Sequence, residues 1–433
     1  MFQTLKNSWK IPELRNKLLF TLLIILIYRL GSAIPVPFVD ASALSGSIWN
    51  NPYLFGISMM VSGGALSQAT MFALGVSPYI TASIVMQLLT VAIPALERMA
   101  KEEDGKKKIN VITRIVTIVL AIITAFGYSQ SIQIVDKVRS PVFAYFVIIA
   151  CFCAGAALVM WLAEKINEHG IGNGISIILF ANILASLPQM VTTVWEIWVM
   201  GGVGKFNVGG LIAAIGFLIA LLALTVLCVW FTNSERRIPI QYAKRVVGRK
   251  MYGGQGTNLP IKMNMAGVMP IIFAQSIVTL PALILSMFQG INTDSGFGWF
   301  IQKFFTPTQG AWPYVILYLV LLVAFSYFYI MISFNPVEVA NNIRNNGGAI
   351  PGIRPGRPTS DFIKKILNRI TLIGAGFLTV IAILPMILGM AVEEFAIIAF
   401  SGNSLLIVVG VALETVRDLE AQITMRNYKG FLD

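Results

Sequence analysis

The side chains that most often perform catalysis or bind metals are few in this sequence and poorly placed for either task. The only histidine, His169, lies in the short charged segment 164–169, which is typical of a solvated loop. All three cysteines lie within apolar runs and are expected to pack as small buried hydrophobic residues. The glycines and lysine of segment 201–205 have the wrong spacing for a phosphate-binding loop. We therefore expect no enzymatic activity, no cofactor and no metal site.

Basic residues in two long polar segments indicate a different kind of chemistry, the binding of a polyanion. Segment 233–262 interleaves its bases with Tyr242 and Tyr252, as proteins that contact an RNA backbone often do. Segment 335–364 places proline and glycine on both sides of Arg354, a pattern that holds a guanidinium on a stiff turn. The candidate docking residues are Arg236, Arg237, Lys244, Arg245, Arg354 and Arg357. Membrane topology alone would explain some of these bases, but not the length of the two segments.

A glycine-rich, uncharged segment lies near the start of the chain. It consists of Ile57, Ser58, Met59, Met60, Val61, Ser62, Gly63, Gly64, Ala65 and Leu66. It is a poor lipid-facing helix, because irregular backbone persists at membrane depth only where it lines a cavity or is buried in protein. The segment is therefore either a movable stopper within a cavity or a static re-entrant loop.

Polar residues at helical spacing lie on two otherwise apolar faces. Ile80, Ile84 and Gln87 follow one another at i, i+4 and i+7 on one predicted helix. The same spacing recurs on a second predicted helix at Ile272, Ser276 and Thr279, with Gln275 adjacent. Residues of this kind either line a pore or hydrogen-bond neighbouring helices within the membrane.

The elements that position these residues must be mostly apolar. The chain has 433 residues, of which 56% are hydrophobic and 12% are charged, and its mean hydropathy is +0.77. Soluble proteins have about 25% charged residues. This composition therefore excludes a soluble enzyme, a disordered scaffold and a disulfide-stapled secreted domain. The sequence predicts an all-α, polytopic membrane protein.

Ten segments are long and apolar enough to be transmembrane helices, since a hydrocarbon core of about 30 Å requires roughly 20 residues of helix. They are residues 18–37, 75–93, 115–135, 141–163, 172–194, 209–232, 263–289, 312–334, 370–392 and 395–413. These spans divide into an N-terminal half, residues 1–205, and a C-terminal half, residues 206–433, with five spans each. Because five is odd, the second half is inverted, which places a functional site between the halves.

The distribution of basic residues fixes the orientation of these spans. Of the 32 Lys and Arg residues, 27 fall on the side that holds both termini and both long basic segments, and only four fall on the other. By the positive-inside rule, both termini and both segments are cytoplasmic. A net charge of +12 on so apolar a chain also favours anionic partners, among them nucleic acid and anionic lipids.

The predicted span interiors contain no ionisable side chain apart from Arg29, near the outer end of the first span. Ion-coupled transporters and proton pumps need such groups at membrane depth. Energy for any transport must therefore come from a partner. Three hypotheses remain at this point: a passive polypeptide channel, a secondary transporter of small solutes, and a membrane scaffold without a conduit.

Short motifs along almost the whole chain match one family in order. They are Tyr-Arg-Leu-Gly (28–31), Ile-Pro-Val-Pro (34–37), Pro-Tyr-Ile-Thr-Ala-Ser-Ile (78–84), Gly-Ile-Gly-Asn-Gly-Ile-Ser (170–176), Arg-Arg-Ile-Pro (236–239), Tyr-Ala-Lys-Arg (242–245), Asn-Met-Ala-Gly-Val (264–268), Pro-Gly-Ile-Arg-Pro-Gly (351–356) and Ser-Leu-Leu-Ile-Val-Val (404–409). On these motifs the sequence closely resembles the SecY family, the central subunit of the bacterial protein-conducting channel.

The resemblance implies a clamshell of two inverted five-helix halves around an hourglass pore that opens sideways between the second and seventh spans. It implies a pore ring of Ile80, Ile84, Ile175, Leu179, Ile272 and Ile407, in which Leu179 replaces the commoner isoleucine. It implies a short plug helix at about residues 57–68. Near the lateral gate we place Gln87, Gln275, Ser276 and Thr279.

The resemblance further implies a channel that passes unfolded secretory polypeptides across the bacterial cytoplasmic membrane and releases hydrophobic segments into lipid. The motor ATPase SecA or the ribosome would drive it through the basic loops. SecE, SecG and the insertase YidC are the implied protein partners, and signal sequences and unfolded preproteins the implied substrates.

Overall fold

A computed structural model of the protein describes residues 8–39, 62–66, 68–132, 140–199, 208–242, 245–247, 250–252, 256–287, 296–306, 312–391 and 401–429. Each of the ten predicted spans contains a helix. The helices are α1 (Pro12–Gly31), α2 (Ser77–Ala92), α3 (Pro94–Lys101), α4 (Glu103–Ser131), α5 (Pro141–His169), α6 (Gly174–Val194), α7 (Val208–Asn233), α8 (Met269–Met287), α9 (Gly296–Phe305), α10 (Trp312–Ser333), α11 (Pro336–Asn345), α12 (Arg357–Ala391) and α13 (Ser401–Lys429).

Five helices among the described residues are long and apolar enough to cross a membrane, namely those that include α4, α5, α7, α10 and α12. A sixth span results if α2 and α3, which meet at an angle of 109°, are counted together. The uninterrupted apolar parts of α6 and α8 are shorter, Gly174–Pro188 and Met269–Pro281. The chain is a multi-pass helical membrane protein, and the count of ten spans stays a prediction.

Proline and asparagine residues set several of the helix boundaries. Prolines occupy the first turn of α1, α2, α3 and α5, where the missing N–H would have no partner within the helix. Pro94 ends α2 at Ile93 and turns the chain into α3. Asn173 caps α6, because its Oδ1 accepts hydrogen bonds from the backbone N–H of Ile175 at 3.1 Å and Ser176 at 3.5 Å.

A small β structure lies in the predicted cytoplasmic loops, where the all-α prediction gave no strand. Strand β1 (Glu235–Tyr242) pairs antiparallel with β4 (Gly256–Lys262), and the short strand β5 (Gly348–Ala349) pairs with the other edge of β1. Strands β2 (Arg245–Val247) and β3 (Lys250–Tyr252) pair with each other. The buried alternation of Ile238 and Ile240 is the signal that sequence analysis missed. The two basic loops are therefore joined through one sheet.

The described hydrophobic residues form four cores, which are one large core, a second core beneath the sheet and two further ones. The large core includes residues of α1, α2, α5, α6, α8, α10, α12 and α13. In the second core Ile238, Ile240 and Ile261 from the sheet pack with Ile343 of α11 and Ile363 of α12. The basic loops thus have a core of their own.

Apolar side chains also cover the outside of the helices. On α7, Ile219, Leu222 and Val226 are 62%, 63% and 68% exposed. Contiguous exposed apolar surface of this kind is unfavourable in water and suits contact with lipid.

Candidate functional site

Five of the six predicted ring residues belong to the large core, and the sixth, Ile175, packs against that core. Ile80 and Ile84 lie one turn apart on α2, Ile175 and Leu179 lie one turn apart on α6, and Ile272 and Ile407 lie on α8 and α13. All but Ile175 are buried, and Ile175 is half-buried. The large core thus contains ring candidates from helices of both predicted halves. Such a cluster can close a path without offering a charge or a hydrogen bond to whatever passes.

The predicted plug is described only in part, because residues 57–61 lie outside the described residues. Ser62 lies in a helical turn, and Gly63 and Gly64 follow it with φ of +64° and +83°. Glycine adopts such values without steric cost. Ser62, Ala65 and Leu66 are buried. This part of the segment is therefore buried in protein, as expected for irregular backbone at membrane depth.

A backbone anchor follows the plug. The N–H of Val36 donates to the carbonyl of Ala69 at 3.0 Å, and the N–H of Met71 donates to the carbonyl of Ile34 at 2.9 Å. A bridge between Pro35 and Thr70 lies between these two bonds. The chain after the plug is thus fixed to the end of the α1 segment. Sequence analysis did not predict this contact, because a two-bond bridge leaves no periodic pattern.

The candidate gate residues lie on α2 and α8, which contact each other. Gln87 is exposed on α2, and its Nε2 donates to Ser83 Oγ at 3.5 Å. On α8 the Ser276 hydroxyl donates to the carbonyl of Ile272 at 2.8 Å, and the Thr279 hydroxyl donates to that of Gln275 at 3.0 Å. These hydroxyl protons therefore bond within α8, while the side chains remain half-buried.

The candidate docking residues project from the small sheet and the turn after it. Arg236 and Arg237 are exposed on β1, and an Arg237 Nη lies 2.7 Å from a carboxylate oxygen of Glu235. Arg354 is exposed in a turn between Gly352 and Gly356, whose φ values of +80° and +103° favour glycine.

Two further docking candidates belong to α12 and to strand β2. Arg357 is the exposed first residue of α12, and Arg245 belongs to β2. Lys244 lies outside the described residues.

A cavity of about 210 Å³ lies where α7 ends and α8 begins. Lys262, Glu414 and Arg417 line it, together with apolar residues of α8 and α13. The Arg417 guanidinium donates to the carbonyl of Thr232 at 3.0 Å and to Asn233 Oδ1 at 2.8 Å. Partial burial lowers the pKa of Lys262, and the nearby Arg417 charge lowers it further. Sequence analysis counted these bases for topology only.

Polar contacts join α13 to residues of the predicted N-terminal half. Asp418 Oδ2 accepts a hydrogen bond from the backbone N–H of Gly172 at 3.1 Å, in the loop between α5 and α6. Lys17 Nζ of α1 donates to Gln422 Oε1 of α13 at 3.3 Å. The two predicted halves are thus in polar contact at the predicted cytoplasmic ends of these helices.

The charged segment around His169 is the C-terminal end of α5 and not the predicted loop, because the helix continues to His169. His169 itself is exposed to solvent, as predicted. His169 is 63% exposed and lies 3.7 Å from Glu168, which pairs with Lys165 at 2.6 Å. Glu164 instead pairs with Arg114 of α4, with both carboxylate oxygens within 2.8 Å of the guanidinium. Within the described ranges, no group of three His, Cys, Asp or Glu side chains could hold a metal ion.

The fold defines a polytopic helical membrane protein whose helices share one large apolar core. A model of the SecY family matches residues 70–416. The chain belongs to the SecY family.

Curated relatives match along the full length. The protein translocase subunit SecY of Streptomyces scabiei is 43% identical over 448 residues, which cover 100% of both chains. The subunit of the same name from Thermus thermophilus is 42% identical, over 100% of this chain and 98% of its own. That of Bacillus subtilis is 40% identical over 100% of both chains.

Solved structures show the same fold at much lower sequence identity. One described as a protein conducting channel has a TM-score of 0.65 at 19% identity, over 94% of this chain and 92% of its own. Sec61 in a canine ribosome–channel complex from the endoplasmic reticulum has a TM-score of 0.62 at 16% identity, over the same shares.

Proposed function

We propose that the chain is the conducting subunit of a protein-translocation channel. The proposal rests chiefly on the large apolar core, which contains or contacts all six aliphatic ring candidates, from α2, α6, α8 and α13. A channel for unfolded polypeptide must pass side chains of every character, so a polar filter would retain some of them. Aliphatic side chains exclude water when the path is empty, and they bind no passing group.

The closed state would combine this ring with the plug. The ring limits ion leak, and residues 57–68 back it from the outer side. The predicted division of the chain into residues 1–205 and 206–433 would let the channel open by separation of these two halves. The contact between α2 and α8 would then be the lateral gate. A signal sequence gains about 0.8 kcal/mol for each CH₂ that leaves water, which offsets the separation of the helices.

The basic loops would engage the partner that drives transport. A three-stranded sheet with its own core joins them. Arg236 and Arg237 are exposed on its strand β1, and Arg354 is exposed in the turn between Gly352 and Gly356. Two proteins of this fold are described in ribosome complexes, canine Sec61 and the idle yeast Ssh1 complex bound to the 80S ribosome. For this chain we propose docking of the ribosome and of SecA on these loops.

The remaining assignments follow from family membership. We propose SecE, SecG and YidC as protein partners, and anionic lipids as partners of the basic cytoplasmic face. The 27 to four distribution of bases supports a cytoplasmic location of both termini in the bacterial cytoplasmic membrane. Membership in a family of translocation channels also supports a non-enzymatic role.

Import into reconstituted vesicles tests the proposal. Vesicles that contain the chain with SecE and SecG should import a signal-bearing precursor when SecA and ATP are added. Arg354→Glu should abolish this import, because it reverses the charge at the tip of the docking turn. Lys303→Glu, a reversal on the predicted outer face, is the matched control and should leave import unchanged. Import that survives Arg354→Glu would refute the docking assignment, and wild-type vesicles without import would refute the channel.

A further inference from the structure

A buried asparagine interrupts the apolar surface of α6. Asn182 is fully buried, and its Nδ2 donates to the hydroxyl oxygen of Tyr28 on α1 at 2.9 Å. Tyr28 is also fully buried, and its ring stacks on Phe72 with centroids 5.5 Å apart. Buried polar groups lose their hydrogen bonds to water, which costs free energy unless they make a hydrogen bond within the protein. The bond therefore fixes where the Asn182 side chain points.

The described end of the plug rests directly on this asparagine. A Cβ added to Gly63 would lie 3.0 Å from the Asn182 carbonyl oxygen and 3.1 Å from both its Cα and its Oδ1. Gly63 also has a φ of +64°, which side chains rarely adopt. Gly63 thus lies close to one residue of α6, and a side chain there would be strained by its φ and crowded by Asn182.

The position of Asn182 relates this contact to the ring. It follows Leu179 by three residues and Ile175 by seven, so all three lie on the same face of α6. Three residues of helix span about 4.5 Å. Gly63 therefore contacts α6 one turn beyond the last ring residue on that helix.

Further contacts hold α1 and the plug anchor in place around the pair. An Arg29 Nη donates to the carbonyl of Ala181 at 2.7 Å, one residue before Asn182. A Cβ at Gly31 would meet the Phe72 ring, so α1 and the chain after the plug also pack closely. The surface that Gly63 contacts is thus formed by α6, and α6 is hydrogen-bonded to α1.

We propose that the Tyr28–Asn182 pair is a seat that holds the plug closed through Gly63. This inference rests on the proposed function, because it assigns the seat of a stopper in that channel. The anchor at residues 69–71 would keep the plug attached when it leaves the seat. The seat would therefore set how readily the resting channel leaks and how strictly it requires a signal sequence.

Three variants test the seat. Gly63→Ala adds the excluded Cβ, Asn182→Leu replaces the amide with an apolar group of similar size, and Tyr28→Phe removes only the hydroxyl. Gly296→Ala is the matched control, because Gly296 has a φ of +67° and no heavy atom within 4 Å of the added Cβ. The reconstituted complex is assayed for resting ion flux and for import of precursors with an intact or an impaired signal.

Tyr28→Phe and Asn182→Leu should each raise resting flux and import of the impaired precursor by about fivefold, the effect of losing one buried hydrogen bond. Gly63→Ala should also raise both, because the added Cβ pushes the plug away from Asn182. Import of the intact precursor should persist, and Gly296→Ala should match the wild type. A structural defect alone would lower all import. Tyr28→Phe keeps the ring that packs on Phe72, so it tests the seat even where a larger change prevents folding.

A double variant provides a second measure. Gly63→Ala with Asn182→Ala should leak less than the sum of the two single effects, because one of the three close atoms, Oδ1, is absent. Wild-type import together with unchanged flux in all three seat variants would overturn the seat and leave the channel intact. Increased flux from the variants without any wild-type import would support a seat in an ion-conducting pore and refute the protein-conducting channel. Neither flux change nor import would refute both.

Discussion

Replacement of Leu179 by alanine should separate the sealing role of this residue from its packing role. Leu179 is 2% exposed and lies in the large core. Its neighbour Ile178 is fully buried in the same core but points about 100° away around α6. Ile178→Ala is therefore a control with similar burial and a different direction.

The expected loss of stability is the same for both variants. Leucine or isoleucine to alanine in a packed core costs about 2–5 kcal/mol. Within a bilayer the lower end applies, because lipid is as apolar as the removed side chain and chiefly the cavity term remains. We expect a loss of about 2 kcal/mol in the free energy of unfolding for each variant. Thermal unfolding of the purified complex measures it.

Only Leu179→Ala should also widen the constriction. Resting potassium flux through vesicles that contain the complex should rise for Leu179→Ala and stay at the wild-type level for Ile178→Ala. Equal flux from the two variants, whether raised or unchanged, would refute the assignment of Leu179 to the ring.

Two further changes test the loops and the contact between the halves. Gly356→Ala should weaken SecA binding several-fold, because a side chain at a φ of +103° costs about 1 kcal/mol in the docking turn; Gly376→Ala, which has open space around it, should not affect binding in the same titration. Asp418→Ala should lower the free energy of unfolding by about 1 kcal/mol, since the N–H of Gly172 loses its acceptor. Asp418→Asn keeps an acceptor oxygen and should restore most of this loss in a thermal melt, whereas equal melting of all three proteins would contradict the role of this bond.

The helices were largely predictable because lipid imposes a strong and simple pattern. Long apolar runs must satisfy their backbone polar groups internally, which only a helix does over about 20 residues. The ring stays a prediction, and it came from the family resemblance, because the spacing of Ile80 and Ile84 fits any apolar helix face equally well. The exact extent of several spans was not, since Pro188 and Pro281 interrupt the apolar helices that contain them.

The small sheet and the seat depend on contacts between residues far apart in sequence. Gln241 of β1 pairs with Ala349, more than 100 residues later, and the two-residue strand there is too short to show a period. Asn182 has its partner on α1, and a single polar residue in an apolar helix does not reveal which neighbour it bonds. The alternation of Ile238 and Ile240 could have indicated β1, because it follows a period of two.

The shared core of the sheet, α11 and α12 has a mechanical consequence. Helix α12 continues for 35 residues from the exposed turn into the large core. A force that a partner applies at the exposed turn, on the predicted cytoplasmic side, would therefore be transmitted along α12 to the large core. The isoleucines beneath the sheet hold α12 against the sheet, so their replacement by smaller residues should weaken this transmission without changing the turn or the large core.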